Sequence, residues 1–122
     1  MVAFLKGKLE ATKKINELME NNDRIAITIF TVYELLKGAY LSARHEENVL
    51  DITQAISDLE IFDLSPQACE EAARIYFDLK RTGTLIGEID ILIAAIAKTN
   101  GEAILTRDKH FKCIKGLELA NW

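Results

Sequence analysis

Apolar residues follow two spacings along this chain, one typical of helices and the other typical of buried strands. Apolar positions three and four residues apart predict a first helix over about 5–19. The uninterrupted apolar run at 25–29 then predicts a buried strand of a parallel sheet. The same reasoning predicts helices at 31–44, 46–56, 65–82, 87–98 and 108–112, and strands at 59–64, 103–105 and 117–120. Because strands alternate with helices, we predict a layered α/β fold with a largely parallel sheet.

The length and composition indicate one domain that covers 1–122. The chain has one proline, six glycines and no low-complexity stretch that would mark a linker or a tail. Its two cysteines, Cys69 and Cys113, lack the spacing of metal ligands, so we predict reduced thiols in the core. The longest apolar stretch, 89–97, contains Asp90 and is too short to cross a membrane. We therefore expect a cytoplasmic protein without membrane association.

The charge of the chain limits how it can bind nucleic acid. The formal net charge at pH 7 is −4. Proteins that grip nucleic acid by bulk electrostatics need a basic face that neutralises phosphates. Any contact with nucleic acid is therefore expected to be local.

Three isolated acidic residues, Glu34, Asp90 and Asp108, lie where a predicted strand or turn gives way to a helix. In open α/β sheets the ligand crevice lies beyond the carboxyl ends of the strands. Glu34 follows the first predicted strand by about one helical turn, and Asp108 follows the strand at 103–105 by three residues. Asp90 lies in the first turn of its helix. We therefore expect the three carboxylates to converge at this edge of the sheet.

Each acid also has a purely structural interpretation. Thr31 and Glu34 fit a capping box, and Lys37 is spaced to pair with Glu34 along the helix. Asp108 could cap the short helix that follows it. Asp90 differs because apolar residues cover the other directions of its helix, and a buried carboxylate is costly unless it is paired or metal-bound. A ligand role is therefore favoured for Asp90 and is one of two alternatives for the other acids.

A cluster of carboxylates predicts metal-assisted hydrolysis of a phosphodiester. Carboxylates raise one another's pKa, and a hard cation such as Mg²⁺ or Mn²⁺ restores their ionisation and orients water. Nearby pairs of Cys or His that would favour zinc are absent from the sequence. Thr106 could hydrogen-bond a ligand, and Arg107 and Lys109 could contact phosphates, although a strand-end hydroxyl and surface charges also explain them. His110, beside Phe111, is predicted to be a half-buried packing residue.

Three segments resemble successive motifs of the PIN-domain ribonucleases of the VapC toxin family. They read YELLKG at 33–38, IGEIDILIAAIA at 86–97 and LTRDKHF at 105–111. The resemblance runs over nearly the whole chain and implies a PIN-like three-layer fold with a central, mostly parallel sheet. It also implies an Mg²⁺-dependent endoribonuclease that cleaves RNA, forms a homodimer and is held inactive by a VapB-like antitoxin.

The resemblance assigns roles to four residues. By motif match, Glu34, Asp90 and Asp108 take the metal-coordinating acidic positions, and Thr106 takes the hydroxyl position. These four are the predicted catalytic residues. Glu88 lies close by but points to a different side of its helix from Asp90, so it is left unassigned.

The start of the chain departs from the family pattern. Family members open with an apolar strand that ends in an aspartate, whereas residues 1–7 resemble the stretch that follows it. We therefore expect the first strand and its aspartate to be missing, because the start lies at an internal methionine or because the gene is truncated. The alternative function is then a catalytically inactive PIN-like module that binds an antitoxin or another protein. A third interpretation treats the acids as helix caps in a scaffold.

Overall fold

The computed structural model describes residues 2–3, 13, 16–17, 20, 25–106 and 108–120. Its sheet consists of β1 (Val2–Ala3), β2 (Ala26–Thr28), β3 (Glu60–Phe62), β4 (Ile104–Leu105) and β5 (Leu119–Ala120). The helices with continuous bounds are α1 (Ile29–Tyr40), α2 (His45–Ile56), α3 (Pro66–Arg81) and α4 (Glu88–Thr99), followed by a 3-10 helix (Lys109–Cys113).

Apart from the first predicted helix, which lies mostly outside the described residues, the predicted elements are confirmed with bounds that shift by a few residues. The main shift concerns α1, which spans 29–40 rather than 31–44. It starts at Ile29 because Thr28 is its N-cap and accepts a hydrogen bond from the amide of Thr31, and it ends four residues earlier than predicted. α3 starts at Pro66 behind the N-cap Ser65, as a Ser–Pro pair predicts. The apolar positions of the first predicted helix lie outside the described residues. Four described polar residues of that segment are helical and exposed, namely Lys13, Asn16, Glu17 and Glu20.

All the strand pairs are parallel, and the order across the sheet is β3-β2-β1-β4-β5. β1 occupies the central position, where Val2 is in register with Ala26 on one side and Ile104 on the other. The expectation of a missing first strand is therefore wrong. Without β1, buried backbone groups of β2 and β4 would lack hydrogen-bond partners. The two residues of β1 occupy this central position and pair with both strands. The first aspartate in the given sequence is Asp23.

Helices cover both faces of the sheet, which confirms the three-layer α/β prediction. On one face, α1 and α2 enclose a core that includes Ile27, Leu35 and Ile52. On the other face, α3 and α4 pack together over a core that includes Ile75, Ile93 and Phe111. β4 contributes to both, because the side chains of Ile104 and Leu105 point to opposite faces of the strand.

The direction of α4 brings its first turn to the same side as the strand ends. α4 ends at Thr99, and the chain turns through Gly101, whose φ is +66°, to enter β4 at Ile104. A connection this short requires α4 to run antiparallel to β4. The start of α4 therefore lies at the carboxyl ends of the parallel strands, where α1 also begins directly after β2.

Two further sequence predictions concern the cysteines and the membrane. Cys69 and Cys113 are free thiols, but the prediction that they lie in the core is wrong, because both are exposed on the helical layer formed by α3 and the 3-10 helix. In the described part of the chain, none of the helices combines the length and apolarity that crossing a membrane requires.

Candidate active site

The order of the strands creates a crevice at the centre of the sheet. From β1 the chain proceeds to β2 and β3 on one side, and β4 and β5 then lie on the other side of β1. This reversal is a topological switch point, and ligands of open α/β sheets bind beyond the carboxyl ends of the strands at such a point. The starts of α1 and α4 and the end of β4 surround this crevice, and each carries one of the predicted acids.

Glu34 lies in the second turn of α1 and is half-buried. Its capping-box interpretation is wrong, because the helix begins at Ile29 and its N-cap is Thr28, three residues before Thr31. The predicted ion pair is confirmed, with Lys37 Nζ 3.3 Å from Glu34 Oε1. The ammonium of Lys37 also lies 5.2 Å from the centre of the Tyr33 ring. Glu34 is therefore held by an exposed cation of its own helix.

Asp90 lies in the first turn of α4 and is half-buried. The expectation that it is buried all round is wrong, because the first fully buried residue of α4 is Ile91, one position later. Its carboxylate turns back towards the N-cap, and Oδ2 lies 3.8 Å from the position of a Cβ built on Gly87. The partial positive charge of the helix N-terminus favours an ionised carboxylate in this position.

Asp108 follows β4 and caps the 3-10 helix, as its structural interpretation predicts. Asp108 Oδ1 accepts a hydrogen bond of 3.0 Å from the amide of His110. The amide of Asp108 donates to Thr106 Oγ1 at 2.8 Å, and Thr106 is buried at the end of β4. Thr106 therefore fixes the backbone turn that carries Asp108 to the crevice. Capping through Oδ1 is compatible with a ligand role for the same carboxylate.

Sequence reasoning missed the role of His110. Its Nδ1 lies 2.6 Å from Asp108 Oδ1, and its side chain is 66% exposed while that of Asp108 is 14% exposed. The prediction of a half-buried packing residue is wrong, because Phe111 fills the core position instead. The available signal was the spacing, since the second residue after an N-cap aspartate supplies the amide that the cap binds. Arg107 lies outside the described residues, and Lys109 is exposed.

The three acids lie at one edge of the sheet without forming a ready metal cage. Among the described residues, no three His, Cys, Asp or Glu side chains are grouped so that they could hold a metal ion. Carboxylates repel one another when no cation lies between them, so separated side chains are the expected state of this donor set. Oxygen is the only donor type in the set, which fits Mg²⁺ or Mn²⁺. The resemblance to PIN-domain ribonucleases implies the same kind of ion.

Comparison with known proteins identifies the family. The PIN domain model matches residues 1–117. A protein of Salmonella typhimurium named tRNA(fMet)-specific endonuclease VapC is 33% identical over 103 residues, which cover 84% of this chain and 78% of that protein. Ribonuclease VapC2 of Haemophilus influenzae is 32% identical over 115 residues, which cover 93% and 85% of the two chains.

Solved structures give the same result. The crystal structure of VapBC2 from Rickettsia felis bound to a DNA fragment from their promoter contains a chain that superposes with a TM-score of 0.83 and 31% identity. The match covers 100% of this chain and 99% of that one. DNA-bound VapBC from Salmonella typhimurium gives a TM-score of 0.89 at 28% identity, over 99% and 96% of the chains. The chain therefore belongs to the PIN-domain family and, within it, to the VapC-type endoribonuclease toxins.

Proposed function

We propose that Glu34, Asp90 and Asp108 bind Mg²⁺ or Mn²⁺ and that the chain uses this site to hydrolyse phosphodiester bonds of RNA. The observation that carries the proposal is the position of the three carboxylates at the carboxyl edge of the sheet, around its switch point. Three separate elements supply them, and Glu34 lies beyond the first turn of its helix, so it is not a cap.

The chain's own residues prepare the site in different ways. Thr106 fixes the turn after β4, and His110 holds one oxygen of Asp108. Glu34 can exchange Lys37 for a metal ion at little cost, because an exposed ion pair contributes only about 0.2–1 kcal/mol. A divalent ion, when bound, lowers the pKa of its water and stabilises charge on the phosphodiester.

A cleavage assay tests the proposal. Purified protein is incubated with single-stranded RNA in Mg²⁺, in Mn²⁺ and in excess chelator, and Asp90→Asn is assayed beside the parent. We expect cleavage by the parent only with metal, and much slower cleavage by Asp90→Asn. Absence of metal-dependent cleavage by the parent would reject this proposal.

A catalytically inactive binding module is the second candidate function. One observation favours it: among the described residues, no three His, Cys, Asp or Glu side chains are grouped as a ready metal site. A site of three carboxylates binds a divalent ion more weakly than a site of four, because fewer charges neutralise it. Calorimetric titration of the parent with Mn²⁺ separates the two candidates before any cleavage is measured.

We also propose a VapB-like antitoxin as protein partner, a homodimeric assembly, a single PIN domain over 1–122 and a cytoplasmic location. The antitoxin is supported by the similar solved structures, which are structures of VapBC. Exposed aromatic and apolar side chains at α1, including Tyr33, Tyr40 and Leu41, are available for a protein interface. Light scattering of the chain alone and with a co-expressed antitoxin tests both assemblies.

A further inference from the structure

We propose that a small basic cleft beside α3 binds the phosphate backbone of the RNA that the active site cleaves. The basic cleft is a cavity of about 90 Å³ whose charged lining consists of Arg74, Asp78, Arg81, Lys98 and Lys115. Its size suits a phosphate group better than a base. This inference rests on the ribonuclease function proposed above, because it assigns a path to that substrate.

The charges in the cleft favour an anion although the whole chain carries a net charge of −4. Four basic side chains line it together with one acid, Asp78. A second acid, Glu71, contacts Lys98 Nζ at 2.7 Å and also pairs with Arg74. With both acids counted, the cleft keeps an excess of two positive charges. The requirement that RNA contacts be local is therefore met at this position.

The cations of the cleft differ in how firmly they are held. Partial burial raises the pKa of Glu71, but hydrogen bonds from Lys98 and Arg74 outweigh this effect and keep the pKa below its usual range. Glu71 therefore stays ionised and occupies Lys98 and Arg74. Arg81 is 66% exposed, and the ion pair that it makes with Asp78 is long, at 3.7 Å. Such surface pairs contribute little, so the guanidinium of Arg81 is available to a phosphate.

Lys115 is the second cation of the cleft that is available to a phosphate. It follows the 3-10 helix, which connects the cleft to Asp108 in the active site. Cys113, in the cleft wall, donates a hydrogen bond of 2.9 Å from Sγ to the carbonyl of His110. His110 in turn contacts Asp108. The 3-10 helix has five residues and spans about 10 Å at roughly 2.0 Å per residue. An RNA strand at Asp108 therefore reaches the cleft within a few nucleotides.

Lys109 and Lys112 are exposed on the connecting 3-10 helix. They extend the basic surface between Asp108 and the cleft. The alternative interpretation is that these side chains form ordinary surface ion pairs and that the cleft binds no ligand. The two alternatives differ in what happens to RNA binding when the available cations are removed.

The test measures RNA binding without cleavage. Fluorescence anisotropy of a labelled single-stranded RNA is recorded with the full chain in chelator at several salt concentrations. The variants are Arg81→Gln, Lys115→Gln and the double variant. The matched control is Arg44→Gln, which removes one positive charge from a side chain that is 80% exposed. Arg44 precedes α2, in the helical layer on the opposite face of the sheet.

We expect each cleft variant to bind RNA more weakly than the parent. The slope of log affinity against log salt should fall by about 0.7 for each lost phosphate contact, and by about 1.4 in the double variant. Arg44→Gln should match the parent. The proposal is overturned if the cleft variants bind like Arg44→Gln, or if the parent does not bind RNA. The single variants keep the test valid if the double variant does not fold.

Cleavage is measured separately with Mg²⁺, so that the two proposals can fail independently. Cleavage by the parent with unchanged binding in the cleft variants would reject the cleft and leave the ribonuclease function standing. RNA binding that depends on Arg81 and Lys115, without cleavage, would support the cleft and reject the function.

Discussion

His110 binds one oxygen of Asp108 with two of its nitrogens. The amide of His110 donates to Asp108 Oδ1 at 3.0 Å, and Nδ1 of the imidazole lies 2.6 Å from the same oxygen. The contact between the side chains orients an aspartate that we assign to metal binding. Partners of this kind keep a ligand in position for the ion.

We predict that His110→Ala lowers the affinity for Mn²⁺ by about 10- to 100-fold, the usual effect of losing a group that orients a ligand. Calorimetric titration measures the affinity without requiring activity. Lys112→Ala is the control, since Lys112 is an exposed residue of the same 3-10 helix. Equal affinities for the parent and His110→Ala would show that Asp108 does not need this contact.

The Asp90→Asn substitution should separate activity from stability. We expect metal-dependent RNA cleavage to fall by roughly 100- to 1000-fold, as when an enzyme loses one electrostatic group of its active site. The free energy of unfolding should change by no more than about 1 kcal/mol, because Asp90 is only half-buried. Glu88→Gln, in the same turn of α4, should retain activity. A similar loss of cleavage in both variants would argue against a specific role for Asp90.

Thr28→Val tests the cap that starts α1. Thr28 is fully buried, and its Oγ1 accepts from the amide of Thr31 at 3.1 Å and contacts Thr31 Oγ1 at 3.2 Å. Valine keeps the shape but leaves buried polar groups unpaired, so unfolding should become easier by about 1–3 kcal/mol. Urea denaturation measures the difference. Thr53→Val, at an exposed position of α2, should stay within about 0.5 kcal/mol of the parent.

Two glycine substitutions should have opposite effects. Gly116 has φ of +77°, and a Cβ there would lie 3.0 Å from Cε of Lys98, so Gly116→Ala should destabilise the fold by about 1–2 kcal/mol. Gly38 lies within α1, and beyond the neighbouring backbone of its own helix no atom lies within 4 Å of the position that a Cβ would take. Gly38→Ala should therefore stabilise the fold by about 0.5–1 kcal/mol. Thermal unfolding of both variants measures the two effects. Midpoint temperatures that shift in the same direction in both variants would contradict the prediction.

The ion pairs of Glu71 predict part of the loss of folding stability at acidic pH. The pKa of Glu71 is lowered in the folded protein, so the unfolded chain binds a proton more readily. The stabilising contribution is present above the ordinary carboxyl pKa, which is about 4.3, and is lost as pH falls through the lower value of the folded state. Glu71→Gln should therefore lose less stability than the parent on acidification from pH 6 to about pH 3.

The companion variant for this prediction is Lys98→Gln, which removes the cation that contacts Glu71 at 2.7 Å. It should show the same weaker dependence of stability on pH. Unfolding in urea at several pH values provides the measurement. A parent and variants with parallel pH profiles would mean that Glu71 contributes nothing to acid unfolding.

The sequence by itself determined the succession of elements and the type of fold. The apolar run at 25–29, the Ser65–Pro66 helix start and the apolar helix at 87–98 are local signals, and each element formed close to its predicted position. The motifs around Glu34, Asp90 and Asp108 are local as well, so family membership was readable without coordinates. The joint role of the three acids stays a prediction, because local patterns give only their order along the chain.

Only the tertiary structure decided which groups meet. The pairing of Val2 with Ala26 and Ile104 depends on a vacant place between two distant strands, which no local pattern records. The choice of Thr28 over Thr31 as N-cap depends on where β2 stops pairing with its neighbours. The basic cleft beside α3 joins residues more than thirty positions apart, such as Arg81 and Lys115. The physical reason is common to all three cases: backbone pairing and charge clusters depend on distances in space, whereas sequence patterns report only the neighbours along the chain.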